Sequence, residues 1–183
     1  MMKQISITLG FVCLMACMAC NTNSTKGQNG LSENIQQNQQ EKTMDKQSKE
    51  TMDVANSFMA AMGKGDMETM INLMDDDMVW QNAGDKTLPW IGPWKGKKVI
   101  LETFLPLFME NFKTTKWETE DAIASGDVAA FFGQMKGITL KSNQETSEFT
   151  FALRVRVKDG KIVLWNWLED SFAVSQAFHK TKK

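Results

Sequence analysis

No tyrosine occurs in the 183 residues, histidine occurs once, and all three cysteines fall within the first twenty positions. Each scarcity closes a class of chemistry. Without tyrosine there is no phenol to donate a proton or a hydrogen bond. The one histidine, His179, stands in a lysine-rich tail and reads as a solvated terminal residue. A Ser–His or His–metal mechanism has almost nothing to work with. With every cysteine at the start, the rest of the chain has neither a disulfide nor a cysteine site. An excess of one charge is also missing: 21 Lys and Arg stand against 22 Asp and Glu, mixed along the chain. Nucleic acid as a partner would need a basic patch, which is not there. The sequence calls for no metal and no cofactor.

What is present begins with an address. Lys3 precedes an apolar stretch over residues 5–14, and Leu-Met-Ala-Cys-Met-Ala-Cys follows at 14–20. At Asn21 the chain turns polar. A basic start, a short apolar core and a small residue before cysteine mark a bacterial export signal of the lipoprotein kind. In that kind the cysteine thiol takes a diacylglycerol and becomes the new N-terminus after cleavage. The apolar run is too short to remain as a spanning helix, so acyl chains are the expected anchor. Cys17, with Leu14 and Ala16 before it, fits the lipoprotein pattern better. Cys20 follows Ala19 and directly precedes the polar stretch, and it stays open as the lipidated residue. Neither Met18 nor Asn21 is an aspartate of the inner-membrane retention type. The expected location is the cell envelope, on the outer membrane facing the periplasm.

Residues 21–45 hold almost no large apolar side chains and read as a disordered polar tether. For ~25 flexible residues the root-mean-square span is roughly 25–30 Å, enough to float a domain clear of a membrane. Residues 46–180 form one expected domain. Met52, Ala55, Phe58, Met59 and Met62 recur at helical spacing, and Gly63 and Gly65 end that helix. Asp66 caps a second short helix with Met67, Met70, Ile71 and Met74 on one face. Met78 to Asn82 alternates as a strand. A Gly/Pro/Trp loop over 84–95 leads to a third helix over 96–112, kinked at Pro106. Period-two patterning then predicts strands at 115–124, 128–140, 146–158 and 161–169. Gly126-Asp127 and Asp159-Gly160 are the hairpin turns, and a short helix closes the chain over 171–178. Helices first and antiparallel strands after make an α+β class. The methionines of the second helix could also gather thioethers for copper, but the same positions form its apolar stripe, and core packing is the better reading.

The Leu88-Pro89-Trp90-Ile91-Gly92-Pro93-Trp94-Lys95-Gly96-Lys97 loop, the Asp159-Gly160-Lys161-Ile162-Val163-Leu164-Trp165 hairpin and the closing Asp170-Ser171-Phe172 resemble the nuclear-transport-factor-2-like superfamily. Within it, the chain is similar to the SnoaL-like branch, with ketosteroid isomerase and limonene epoxide hydrolase as relatives. The resemblance spans residues 46–180. It implies a cone: a curved antiparallel sheet wrapped around three N-terminal helices, with a short C-terminal helix and a pocket between them. It also implies pairing through the sheet's outer face, so a homodimer is possible.

The relatives' catalytic sets do not carry over. The isomerase's aspartate base resembles Asn82 in position, and an amide cannot act as that base. Its oxyanion hole needs a tyrosine, absent here, and an aspartic acid where Leu153 stands. The epoxide hydrolase's last-strand aspartate falls at Trp167. Its remaining Asp and Arg would lie on 128–140, which holds no carboxylate and no arginine. What remains is an aromatic wall. Trp80, Asn82, Trp90, Trp94, Phe108, Phe131, Leu153, Trp165 and Trp167 are the candidates to line a pocket for a small apolar molecule, with Trp117 outside it. Two acids are weak catalytic candidates. Asp170 is expected to cap the last helix, and Glu169 falls on the Trp165/Trp167 face.

Three functions stay open: a lipid-anchored ligand binder, an isomerase, cyclase or hydrolase using Asp170 or Glu169, and a structural or interaction module. A carboxylate-free apolar cavity would favour the binder. A buried acid with a raised pKa would favour the enzyme, and a filled core the module.

Overall fold

The computed structural model describes residues 45–180. The leader, Cys17, Cys20 and residues 21–44 of the tether lie outside the described residues.

Asp45 accepts the Ser48 N–H at 2.9 Å and so caps helix α1 (Lys46–Lys64), which ends at Gly65 in the left-handed conformation. Asp66 caps α2 (Met67–Leu73) in the same way through Thr69. Strand β1 (Met74–Asn82) starts four residues earlier than the alternation suggests. The Asp75-Asp76-Asp77 run hides its first half, where Asp76 pairs with Lys97. After the loop and a short β2 (Trp94–Lys95), the third helix is a composite. It comprises α3 (Lys97–Val99), a π-helical stretch (Ile100–Phe104) and α4 (Leu105–Asn111). Pro106 has no N–H to return to the carbonyl four residues back. The helix absorbs this by widening ahead of the proline, where the Leu105 N–H reaches the Ile100 carbonyl five residues back.

Five strands complete the sheet: β3 (Phe112–Ser125), β4 (Val128–Thr139), β5 (Gln144–Glu145), β6 (Phe149–Lys158) and β7 (Lys161–Glu169). Helix α5 (Ser171–His179) follows. The order is β2-β1-β7-β6-β4-β3, with β5 against β4. All described pairings are antiparallel except one. The first and last long strands, β1 and β7, run parallel, which sets Trp80 beside Trp165 and Asn82 beside Trp167.

The sheet curls around the helices because β3 breaks register with β4 at Thr114/Lys116 and Thr119/Asp121. Gly133 and Gly137 of β4 face those breaks. A Cβ on Gly133 would stand 1.9 Å from the Glu118 carbonyl oxygen, and one on Gly137 would stand 2.1 Å from the Phe112 ring. Only glycine admits so close an approach.

On β6 the odd positions Phe149 to Val157 are buried and Arg154 and Arg156 are exposed, as alternation requires. In α2 Met70 is buried, but Met67 and Ile71 are exposed, and Met74, also buried, already belongs to β1, so the apolar stripe is narrower than the spacing implies. Val99, at the start of the third helix, is likewise exposed.

Candidate functional site

A cavity of about 660 Å³ opens between the concave face of the sheet and the helices. Its floor is aromatic. Trp80 and Trp165 lie 5.3 Å apart between ring centroids, and Phe104 lies 5.0 Å from Trp80. Trp90, from the loop, meets Phe108 edge to face at 5.9 Å. At the other side Trp167 stacks on Phe151 at 4.7 Å and meets Trp117 at a tilt, 5.1 Å between centroids. The helical wall is soft: Met59, Met62, Met67 and Met70 line it together with Leu105 and Met109 of the third helix.

Of the sequence candidates, the fold brings Trp80, Asn82, Trp90, Phe108, Trp165 and Trp167 onto one cavity wall, together with Glu169. Three do not join them. Trp94 packs outside the cavity, on Phe104 at 5.6 Å, and its indole N–H donates to the Trp90 carbonyl at 3.1 Å. Phe131 and Leu153 sit directly across from each other on β4 and β6 and are fully buried. They lie under α1 rather than at the opening, because α1 covers that part of the sheet. Trp117, expected outside, lines the cavity, since the β3 bulges curl its side chain over Trp167. Met109 was not singled out at all, and the four methionines of α1 and α2 were legible as apolar stripe but not as cavity wall. The signal separating the two is the distance between helix and sheet, which spacing does not carry.

Both ends of the Asn82 amide are engaged. Its Oδ1 accepts the Trp80 indole N–H at 3.1 Å, and its Nδ2 donates to the Trp90 carbonyl at 3.5 Å. It fixes the floor tryptophan and the loop to each other. Asp170 is exposed and accepts the Phe172 N–H at 3.1 Å, so it caps α5 and stands away from the cavity chemistry.

Glu169 is the ionisable residue of the wall. Its Oε2 accepts the Trp167 indole N–H at 2.6 Å. Burial among the rings pushes its carboxyl up to about 7. The indole N–H partly offsets this, and the negative charge of Asp170 adds to it. Such a group exchanges a proton near neutral pH.

Asp85, in the loop between β1 and β2, is a latch. It accepts from the Ser175 hydroxyl of α5 and from the Thr87 N–H and hydroxyl. These bonds hold its carboxyl down to about 2. The exposed His179 ring meets the Thr87 hydroxyl at 2.7 Å. Ser175 donates to the carboxylate and not to histidine, so the cluster is a clasp between loop and helix rather than an activated nucleophile.

Among solved structures, an NTF2-like protein of Burkholderia xenovorans is 22% identical to the chain. It covers 72% of this chain and 98% of its own, with a TM-score of 0.65. TerC, co-crystallised with polyporic acid, is 18% identical over 72% of this chain and 99% of its own, at a TM-score of 0.61. An LEH-like epoxide hydrolase of M. tuberculosis is 18% identical over 72% and 90%, at a TM-score of 0.53. At such identities the likeness is one of fold. A comparison with curated proteins finds no match. The family model described as the SnoaL-like domain matches residues 55–165, and the chain belongs to that family.

Proposed function

We propose that the domain binds a small, largely apolar molecule in the aromatic cavity and presents it to Glu169. The cavity carries the reading: about 660 Å³ walled by tryptophan, phenylalanine and methionine, with few polar groups, is the usual form of a small-molecule site. Its size argues against the purely structural module. The co-crystallisation of TerC with polyporic acid supports a ligand in this fold.

Tryptophan fluorescence should shift when hydrophobic probes are titrated in. Trp167→Asp puts a second carboxylate beside Glu169 and should weaken probe binding at least tenfold, the effect of burying an unpaired charge. Leu168→Asp, one residue along on the exposed outer face, should leave it unchanged. Equal loss in both variants, or no probe binding by the unsubstituted protein, would sink the reading.

Glu169 favours a second reading, an enzyme. The cavity is not carboxylate-free, and its acid has a pKa matched to proton transfer at neutral pH. One carboxylate suffices to move a proton at a carbon beside a ketone. An apolar enolisable ketone such as 2-tetralone should then exchange its α-protons for deuterium faster with the protein than with Glu169→Gln. Equal rates would dispose of the catalytic role and leave the binding role standing.

We further propose that residues 1–20 are a lipoprotein signal and that Cys17 or Cys20 carries the lipid, tethering the domain at the periplasmic face of the outer membrane. The support is the Leu-Met-Ala-Cys-Met-Ala-Cys run followed by the polar stretch. The Cys17→Ala, Cys20→Ala double variant should be exported and soluble. An exported variant that stays with the membrane would refute the anchor.

A further inference from the structure

We infer that the ligand of this cavity is a lipophilic cation, an apolar body carrying one protonated amine that pairs with the Glu169 carboxylate. The inference rests on the small-molecule reading above and names the class of molecule.

It stands first on the charge lining the site. Among the described residues, Glu169 is the one ionisable side chain on the cavity wall, with no lysine, arginine or histidine beside it there. A carboxylate has acceptor room for about four hydrogen bonds. Among the described residues, Glu169 receives one side-chain bond, from the Trp167 indole. A buried carboxylate without a counter-charge is costly, and an incoming ammonium removes that cost by pairing with it. The rings point the same way. Trp117, Phe151 and Trp167 cluster with centroids 4.7 to 5.1 Å apart beside the carboxyl, and aromatic faces attract cations. Asp170, at the end of the same strand, adds negative field. A fatty acid would bring a second carboxylate into a wall with no cation to meet it. A neutral alcohol would gain the apolar contacts but no charge pair.

The groups facing Glu169 decide how binding follows pH. From β3 the wall presents Thr114 and Trp117, from the third helix Leu105, Phe108 and Met109, from α1 and α2 methionines, and from α5 Val174. None of these titrates. Asp170 is the neighbouring acidic side chain, at the end of the same strand. The pH response is therefore that of Glu169 alone. Amine preference should be absent near pH 5, where the carboxyl is protonated, and should rise to its full value by pH 8.

The test uses three probes of equal length on the full chain: octylamine, octanol and octanoate, followed by tryptophan fluorescence and calorimetry at pH 5 and pH 8. At pH 8 octylamine should bind about tenfold tighter than octanol, the effect of one charge-assisted bond, and octanoate weakest. The preference should vanish at pH 5 in the unsubstituted protein. In Glu169→Gln it should vanish at both pH values while octanol binding is retained. Octanol binding as tightly as octylamine at pH 8, or octanoate binding tightest, would overturn the cation while leaving the cavity a ligand site. Failure of all three to bind would overturn the ligand site itself.

Discussion

A carboxyl set among indole and phenyl rings holds its proton to higher pH than one in water, and this links Glu169 to the stability of the fold. In the unfolded chain it ionises near its ordinary 4.5, and in the folded protein near 7. Between those values the unfolded state releases a proton that the folded state keeps, so stability falls as pH rises through that window and levels off above it. The effect has a ceiling of roughly 3 kcal/mol, reduced because Glu169 is partly open to solvent. Glu169→Gln carries no charge and should escape it. Urea unfolding should show the variant more stable than the parent at pH 8 and close to it at pH 5. An equal difference at both pH values would contradict the shift. At this scale the sequence was partly legible. Period two placed Trp165, Trp167 and Glu169 on one face, and Trp80 with Asn82. It could not assign Trp117, because the β3 bulges that swing it over Trp167 depend on close contact with Gly133 and Gly137 across the sheet. The same alternation gave Phe131 and Leu153 the right face but could not say that α1 covers them.

Among the elements, the legible ones are those whose local chemistry is self-contained. Asp66 and Asp170 each cap a helix, and Asp159-Gly160 adopts positive φ at both residues to turn the last hairpin. Elements shaped by partners were less legible: β1 hides under three aspartates, and the third helix widens into a π-helical stretch ahead of Pro106. The curl of the sheet is testable through its glycines. Gly133→Ala forces a methyl group against the Glu118 carbonyl and should cost about 2–4 kcal/mol, by strain or by separating β3 from β4. Gly63→Ala is the opposite case. Nothing lies within 4 Å of the added carbon near the end of α1, and the helix should gain about 0.5–1 kcal/mol. Denaturant midpoints should move in opposite directions. A Gly133→Ala protein as stable as its parent would show that the sheet's curvature does not depend on that contact.

For the whole molecule, the outer face of the sheet remains to be accounted for. Cross-strand neighbours Phe132, Ala152 and Leu168 form a row there, and Phe132 and Leu168 are 41% and 43% exposed. Ile123 adds a further exposed side chain at 64%, across from Ala130 on the adjacent row. Asn166, next to Leu168, has a buried Oδ1 with no hydrogen-bond partner among the described residues. Arg154, its cross-strand neighbour, is exposed. Apolar side chains rimmed by arginine, with one unsatisfied acceptor, suit a moderately polar interface between two copies of the chain. Such a pairing would leave the concave face and its cavity open on each subunit, because the two faces of the sheet are opposite. We therefore expect a homodimer at tens of micromolar, and Leu168→Lys should shift it toward monomer by placing like charges across the contact. Probe binding in the cavity should be unaffected by the same change. Sedimentation of the unsubstituted protein as a monomer at that concentration would rule the pairing out. A dimer that survives both Leu168→Lys and Phe132→Lys would place the contact on another surface.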